Sequence, residues 1–337
     1  MEKDLTRTLV ESTVRRTLKN IQESPERAIR NFIDLGLEFS NGRFQTRLMK
    51  ITQEMLHNQN SAYYTLVKNL AASVDPEIIT TFGVNLGYDG CTKGAKTIRE
   101  MESKRHFNIP WSLSLVINAD KLETEPDFYP SLLQQGVSLG IHTYLLFVLN
   151  HPEKVIPLLQ ERQDCAFVLF LHGSQMNGSF LREMDGVHNA MISVYVDQDM
   201  PEACQALRDS RMLYAVHQRY TEADKEQILS GKWLTSVLPH RPTVAILRAD
   251  PACSSETQEK IYDYIVSVWD GQQYPVLFMD TKQDILKIDR IISDGECLVG
   301  FNEDGTMRTH EGNRCEHSCN IFHHSLEEIL QAATPKA

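Results

Sequence analysis

CAFVLFL, residues 165–171, is an unbroken apolar run between the helix-forming segment NHPEKVIPLLQE (150–161) and the polar HGSQ (172–175). A strand with one wet face alternates apolar and polar residues. A continuous apolar run bounded by turn residues fits a strand covered on both faces. Similar runs occur at 80–86 (TTFGVNL), 111–117 (WSLSLVI), 137–147 (VSLGIHTYLLF), 189–196 (NAMISVYV), 213–220 (LYAVHQRY), 243–249 (TVAILRA) and 274–280 (YPVLFMD). Helical segments lie between them, such as TEADKEQILSG (221–231) and CSSETQEKIYDYIVSVWDG (253–271). The second is expected to open on a capping box of Ser255 and Gln258. The period of roughly 25–33 residues is the size of a βαβ unit. The expected fold class is α/β: a parallel (β/α) barrel, partial or complete, with an N-terminal helical segment and a C-terminal hairpin plus short helix. A doubly wound open sheet is the alternative.

The chain divides into an N-terminal helical segment (1–75), the barrel (76–280) and a C-terminal Cys/His-containing extension (281–337). In the first part, Ser24, Pro25 and Glu26 form a helix start. Ile29, Phe32, Ile33 and Leu37 follow on one face, and NGRF (41–44) breaks the pattern. Helical spacing resumes in FQTRLMKITQEML (44–56) and in SAYYTLVKNLAASV (61–74), with Ser61 as its cap. These helices either pack on the barrel or dock a partner protein. In the extension, NEDG (302–305) reads as a hairpin turn, and Ser325 caps the helix SLEEILQAA.

The 337 residues carry 34 Lys and Arg against 45 Asp and Glu, a net charge of −11, which argues against a broad nucleic-acid surface. No apolar run reaches the ~18 residues of a transmembrane helix. The N-terminus is amphipathic but lacks the apolar core of a secretory signal, and Glu2, Asp4 and Glu11 argue against a transit peptide. Seven scattered cysteines, an odd number, suit a reducing compartment, so a cytoplasmic protein is expected.

Parallel α/β folds build their sites at the carboxyl ends of the strands. His142, His172, His217 and Asp280 fall in or near those ends and are the candidate catalytic residues, either around a divalent metal or as acid–base groups. Tyr144, Arg219 and Arg248 could hold an anionic group there. In GYDGCTKGAK (87–96), Gly87, Gly90 and Gly94 read as a turn leading into a helix, whose backbone amides could hold an anion. The spacing matches neither a Walker loop nor the dinucleotide fingerprint. Gly87, Gly90, Cys91 and Arg248 are the candidate cofactor-binding residues. In HEGNRCEHSCNIFHH (310–324), Cys315, Cys319 and His310, together with Cys297 across the hairpin, are candidate ligands for zinc or an iron–sulfur cluster.

The order of these features resembles the radical SAM superfamily with a C-terminal extension of the SPASM or twitch kind. The likeness runs through LLQQGVSLGIHTY, CAFVLFLHGSQ, CLVGFNEDGTMRTH and SLEEIL, over about residues 78–330. In the extension, Cys297 and Gly305 match the pattern, and His310 stands where a second Cys would be. The resemblance implies a partial barrel with a CxxxCxxC loop after the first strand. At the position assigned to that loop only Cys91 is present, with Ala95 and Ile98 four and seven residues further on. One cysteine cannot hold a site-differentiated cluster.

Three functions remain open. The first is a cluster-less relative that binds a small molecule, a peptide or a partner enzyme without ordinary radical SAM catalysis. The second is a barrel enzyme using the strand-end His and Asp residues. The third is an iron–sulfur protein with its cluster in the extension.

Overall fold

The apolar runs form a parallel sheet because helices cover their outer face. The computed structural model describes residues 4–21, 23–38, 43–293, 295 and 297–336. Seven strands follow in chain order: β1 (Ser112–Ile117), β2 (Thr143–Val148), β3 (Ala166–Leu171), β4 (Ala190–Tyr195), β5 (Tyr214–Tyr220), β6 (Val244–Ala249) and β7 (Leu277–Asp280). Each lies beside the next in the sheet and parallel to it. β8 (Val299–Phe301) joins parallel to β1, and β9 (Met307–Thr309) and β10 (Gly312–Arg314) extend that edge antiparallel. All six residues of β3 are buried, as its composition requires. The sheet is curled. Arg248 on β6 reaches across the concave face to lie over the ring of Phe147 on β2, 4.9 Å from its centre. The fold is therefore an α/β partial barrel, as expected.

One expected strand is a helix. TTFGVNL belongs to the helix Pro76–Val84, which runs on through a π-helical stretch, Asn85–Gly94, into the helix Ala95–Arg105. The cause lies just upstream. Asp75 caps the helix by accepting a hydrogen bond from the Glu77 amide (2.8 Å), and Pro76 occupies the first turn. The first strand is therefore Ser112–Ile117, and GYDGCTKGAK follows no strand. It lies under the amino ends of the barrel strands: Asn85 donates to the carbonyls of Gln163 and Cys165, both at 2.8 Å, just before β3. Gly94 is needed for this fit. A Cβ there would stand 2.4 Å from the Gly140 carbonyl oxygen and 2.6 Å from that of Asp89. Gly94→Ala should therefore cost about 1–3 kcal/mol in denaturant titration. Gly87→Ala should cost nothing or stabilise by up to about 1 kcal/mol, since its Cβ would meet nothing within 4 Å.

Other local signals have identifiable outcomes. Ser61 accepts from the Tyr63 amide, and Ser325 forms a capping box with Glu328. The helix at 255–271 is capped by Ser254, which accepts from the Thr257 amide, and not by Ser255. The NEDG turn joins β8 to β9 with Gly305 at φ +80°, a left-handed conformation that suits glycine. The break expected at NGRF lies partly outside the described residues. Among the described residues two apolar cores form. A small one joins Ile21, Ala28, Ile29, Ile33, Leu56 and Tyr64 of the N-terminal helices. The main one continues from the barrel into the tail through Val299, Phe301, Met307, Leu326 and Ile329. Among the described residues no helix is long and apolar enough to cross a membrane.

Candidate functional site at the barrel mouth

Parallel pairing aligns side chains face by face, so the register identifies what the concave face carries. Phe147 pairs with Val116 on one side and Phe170 on the other. Phe170 pairs with Ser193, Tyr195 with His217, and Arg219 with Arg248. On the far edge Ser114 pairs with Gly300, and Gly300 with Arg308. One face therefore carries an aromatic wall and three arginines, the latter contributed by β5, β6 and β9.

The aromatic wall is continuous. Phe147 and Phe170 stack with centres 4.3 Å apart, and His217 meets Phe170 edge-on at 4.9 Å and Tyr195 at 5.4 Å. Ser193 Oγ and His217 Nδ1 are 3.0 Å apart. Burial, then Arg248 and His172, push the His217 imidazole down to about 3, so it is neutral at physiological pH. Lower in the barrel the face carries Ser112 and Thr143, whose buried hydroxyls find no partner among the described residues.

The arginines are poorly neutralised. Arg219 pairs with Asp250 at 2.7 Å. Arg248 has the face of Phe147 and a weaker attraction from Asp250. Burial, then Arg308 and Arg219, push Arg248 down to about 10, which leaves it cationic at neutral pH. Burial and then Arg219 also push Arg308 down. Among the described residues, the ion pair on these three guanidiniums is Arg219 with Asp250, and Arg248 and Arg308 are half-buried. Such an array suits an oxyanion, carboxylate or phosphate, because the guanidinium fork can pair with two oxygens of either.

At the rim, His172 directly follows β3, and its Nδ1 lies 3.1 Å from Asp197 Oδ2, beyond β4. The His172 ring is 4.8 Å from that of Tyr195. The carboxylate favours the proton on Nδ1 and leaves Nε2 as the free acceptor. Asp197, Tyr195, Ser193, Phe147, Phe170 and Arg308 were not singled out in the sequence. Asp197 carries a usable signal, an acidic residue two positions past a strand end. Arg308 carries none before the hairpin register is known.

The remaining candidates lie elsewhere. Asp280 pairs in register with Leu247, so it points to the outer, helix-covered face. There it caps the helix Thr281–Ile292 by accepting from the Gln283 amide (2.9 Å), and burial pushes its carboxyl up to about 6. Tyr144 also faces outward, stacked on Phe167, and its hydroxyl donates to the Leu133 and Ile141 carbonyls. His142 precedes β2, at the opposite end from the mouth, with Nδ1 3.1 Å from the Asp164 carbonyl oxygen. Gly87, Gly90 and Cys91 lie in the π-helical stretch at that same end, and burial pushes the Cys91 thiol up to about 12. Arg248 is the one cofactor-binding candidate at the mouth.

The tail ligand set is divided by the hairpin register. Thr309 pairs with Val299, which puts His310 and Cys297 at the open end. Thr306 bridges to Asn320, which puts Cys319 beside the turn. The ends are separated by the strand length, at about 3.3 Å per residue. Cys297 and Cys319 are buried in the main core and Cys315 is exposed. Among the described residues, the trio with ligand atoms mutually within 4.8 Å is His142, Asp164 and Cys165. It has internal partners instead: Asp164 pairs with Arg162 at 2.9 Å, and burial, then Asp164, hold the Cys165 thiol far above its usual range.

No protein-family model and no curated protein matches the chain. Solved structures of SuiB from Streptococcus suis are similar to it at 8% sequence identity. The structure bound to S-adenosylmethionine has a TM-score of 0.49 and covers 71% of this chain and 67% of its own. The one bound to precursor peptide SuiA gives 0.47, over 71% and 68%. A further SuiB structure gives 0.49, over 87% of this chain and 77% of its own.

Proposed function

We propose that this chain binds an anion-bearing small molecule or acidic peptide group in the mouth of its partial barrel, and that it is a cluster-less relative of the radical SAM barrel. The observation that carries the reading is the excess of cationic over anionic groups on the concave face. Half-buried guanidiniums without a carboxylate each are costly in an empty site, and an anionic ligand offsets that cost. The donor set does not suit a site-differentiated iron–sulfur cluster. The segment after β1, Asn118–Asp127, contains no cysteine. Cys91 is buried beneath the strands as a high-pKa thiol. The test is calorimetry with inorganic pyrophosphate and, separately, a tetra-glutamate peptide. One saturable equivalent, weakened by added salt and by Arg308→Gln, is expected. Binding that ignores Arg308→Gln, or none, refutes the reading.

A second reading is favoured by the 3.1 Å contact of His172 with Asp197. The pair would act as an acid–base dyad on a ligand held by the arginines, with Nε2 moving the proton. The division into helical segment, barrel and extension belongs to the same proposal, with the N-terminal helices as the docking surface for a partner protein.

A further inference from the structure

HEGNRCEHSCNIFHH holds four histidines, and the set expected from it omitted three of them. The fold gathers those three. His317 opens a short turn after β10, and His323 and His324 precede the helix Leu326–Ala333. His324 Nε2 lies 3.3 Å from His317 Nδ1. His323 stacks on His317 with centres 4.9 Å apart and planes within 3°. We propose that His317 and His324 chelate a divalent late transition metal, zinc or copper, at the surface of the extension.

The distance is the first argument. Two nitrogens on one tetrahedral zinc, each about 2.0–2.1 Å from it, stand about 3.3 Å apart. Without an ion the same contact is a hydrogen bond between the two rings, so a metal would displace the proton shared there.

Preorganisation is the second. The loop between the two histidines is pinned at its middle. Asn320 donates from Nδ2 to the Asp304 carbonyl at 2.9 Å and accepts from the Phe322 amide at 2.9 Å. The Ile321 amide donates to the Gly305 carbonyl, and those of His323 and His324 donate to that of Asn320. The stacked His323 ring fixes the plane of His317, which makes it a positioning residue.

The electrostatic surround is the third. His324 borders a cavity of about 450 Å³ that is also lined by Glu125 and Asp127. Glu125 is shared with Lys121, while Asp127 adds negative charge without capping its helix. Imidazole nitrogens suit zinc and copper, and the exposed side leaves room for water to complete the shell.

The test uses the full chain. Zinc titration by calorimetry should show one site that His317→Gln and His324→Gln each weaken by about tenfold or more. Copper(II) should give an electron paramagnetic resonance signal with coupling to two nitrogens, and either variant should remove one of them. His323→Gln should weaken binding less than either. Cys315→Ser separates this site from a thiolate site and should change nothing. Absence of binding, binding unchanged in both His317 and His324 variants, or loss in Cys315→Ser instead would overturn the proposal. The substituted side chains are exposed or half-buried, and circular dichroism will confirm that each variant folds.

Discussion

Arg248→Met is expected to raise the stability of the ligand-free protein while weakening its response to anions. Arg248 sits half-buried over Phe147; burial, then Arg308 and Arg219, lower its pKa, and among the described residues no carboxylate is ion-paired to it. Met keeps the apolar stem against the ring and removes a desolvated charge that two neighbours repel. Replacing poorly compensated buried charges by apolar residues is often stabilising, by about 1–4 kcal/mol. The lower half of that range applies here because the site is open to water on one side. Pyrophosphate should stabilise the wild type by about 2.7 kcal/mol at a hundred times its dissociation constant, and a variant that binds tenfold more weakly by about 1.4 kcal/mol. Two denaturant titrations, with and without the anion, read both effects. If Arg248→Met loses stability in the absence of anion, the guanidinium is a structural strut and not a ligand group.

Opposite signs are informative because ordinary core residues do not give them. Shortening a residue kept for packing lowers stability, whereas replacing one kept for binding often raises the stability of the unliganded protein. His217 offers a second contrast on the same face. Its folded pKa of about 3 lies below the unfolded value of about 6.5, so its contribution is present above pH ~6.5 and is lost as pH falls towards 3.

How far the sequence could be read depends on which interactions are local. CAFVLFL and its neighbours were legible because burial on both faces leaves a direct mark on composition. Ser61, Ser325 and NEDG were legible because caps and turns are satisfied within a few residues. TTFGVNL misled because β-branched and aromatic residues suit a strand, while Asp75 and Pro76 decided for a helix that packs under the barrel. That one shift moved the first strand by a unit and carried Gly87, Gly90 and Cys91 to the wrong end of the sheet. Arg219 and Arg248 were recognised by their strands, but their partner Arg308 comes from β9 through pairings that the sequence does not print. The positions of the tail cysteines were hidden for a related reason. Closeness in sequence placed them together, whereas antiparallel register sends Cys297 and Cys319 to opposite ends of one hairpin.

Asp289→Ala should unlock the junction between tail and barrel. Asp289 is fully buried on the helix Thr281–Ile292. Its Oδ1 accepts from the Trp111 amide at 2.8 Å and its Oδ2 from the Cys297 amide at 2.7 Å. Trp111 is the residue before β1, and Cys297 stands just before β8. One carboxylate thus fixes the entry of the two strands whose pairing joins the extension to the sheet. Alanine leaves two buried N–H groups without acceptors, at about 1–3 kcal/mol each, so a loss of about 2–6 kcal/mol is expected in denaturant titration. Asparagine keeps one acceptor and turns an N–H towards the other amide, so Asp289→Asn should fall between. The pH dependence has a definite sign. Burial pushes this carboxyl up to about 7, against the two amide bonds that favour its charged form. The folded pKa lies above the unfolded value of about 3.9. The contribution is therefore fully present below pH ~4 and is lost as pH rises towards 7. Asp289→Asn should lose that part of the wild-type slope while keeping the slope from His217, which runs the other way. An unchanged slope would mean that the amide bonds outweigh burial and that Asp289 is ionised throughout.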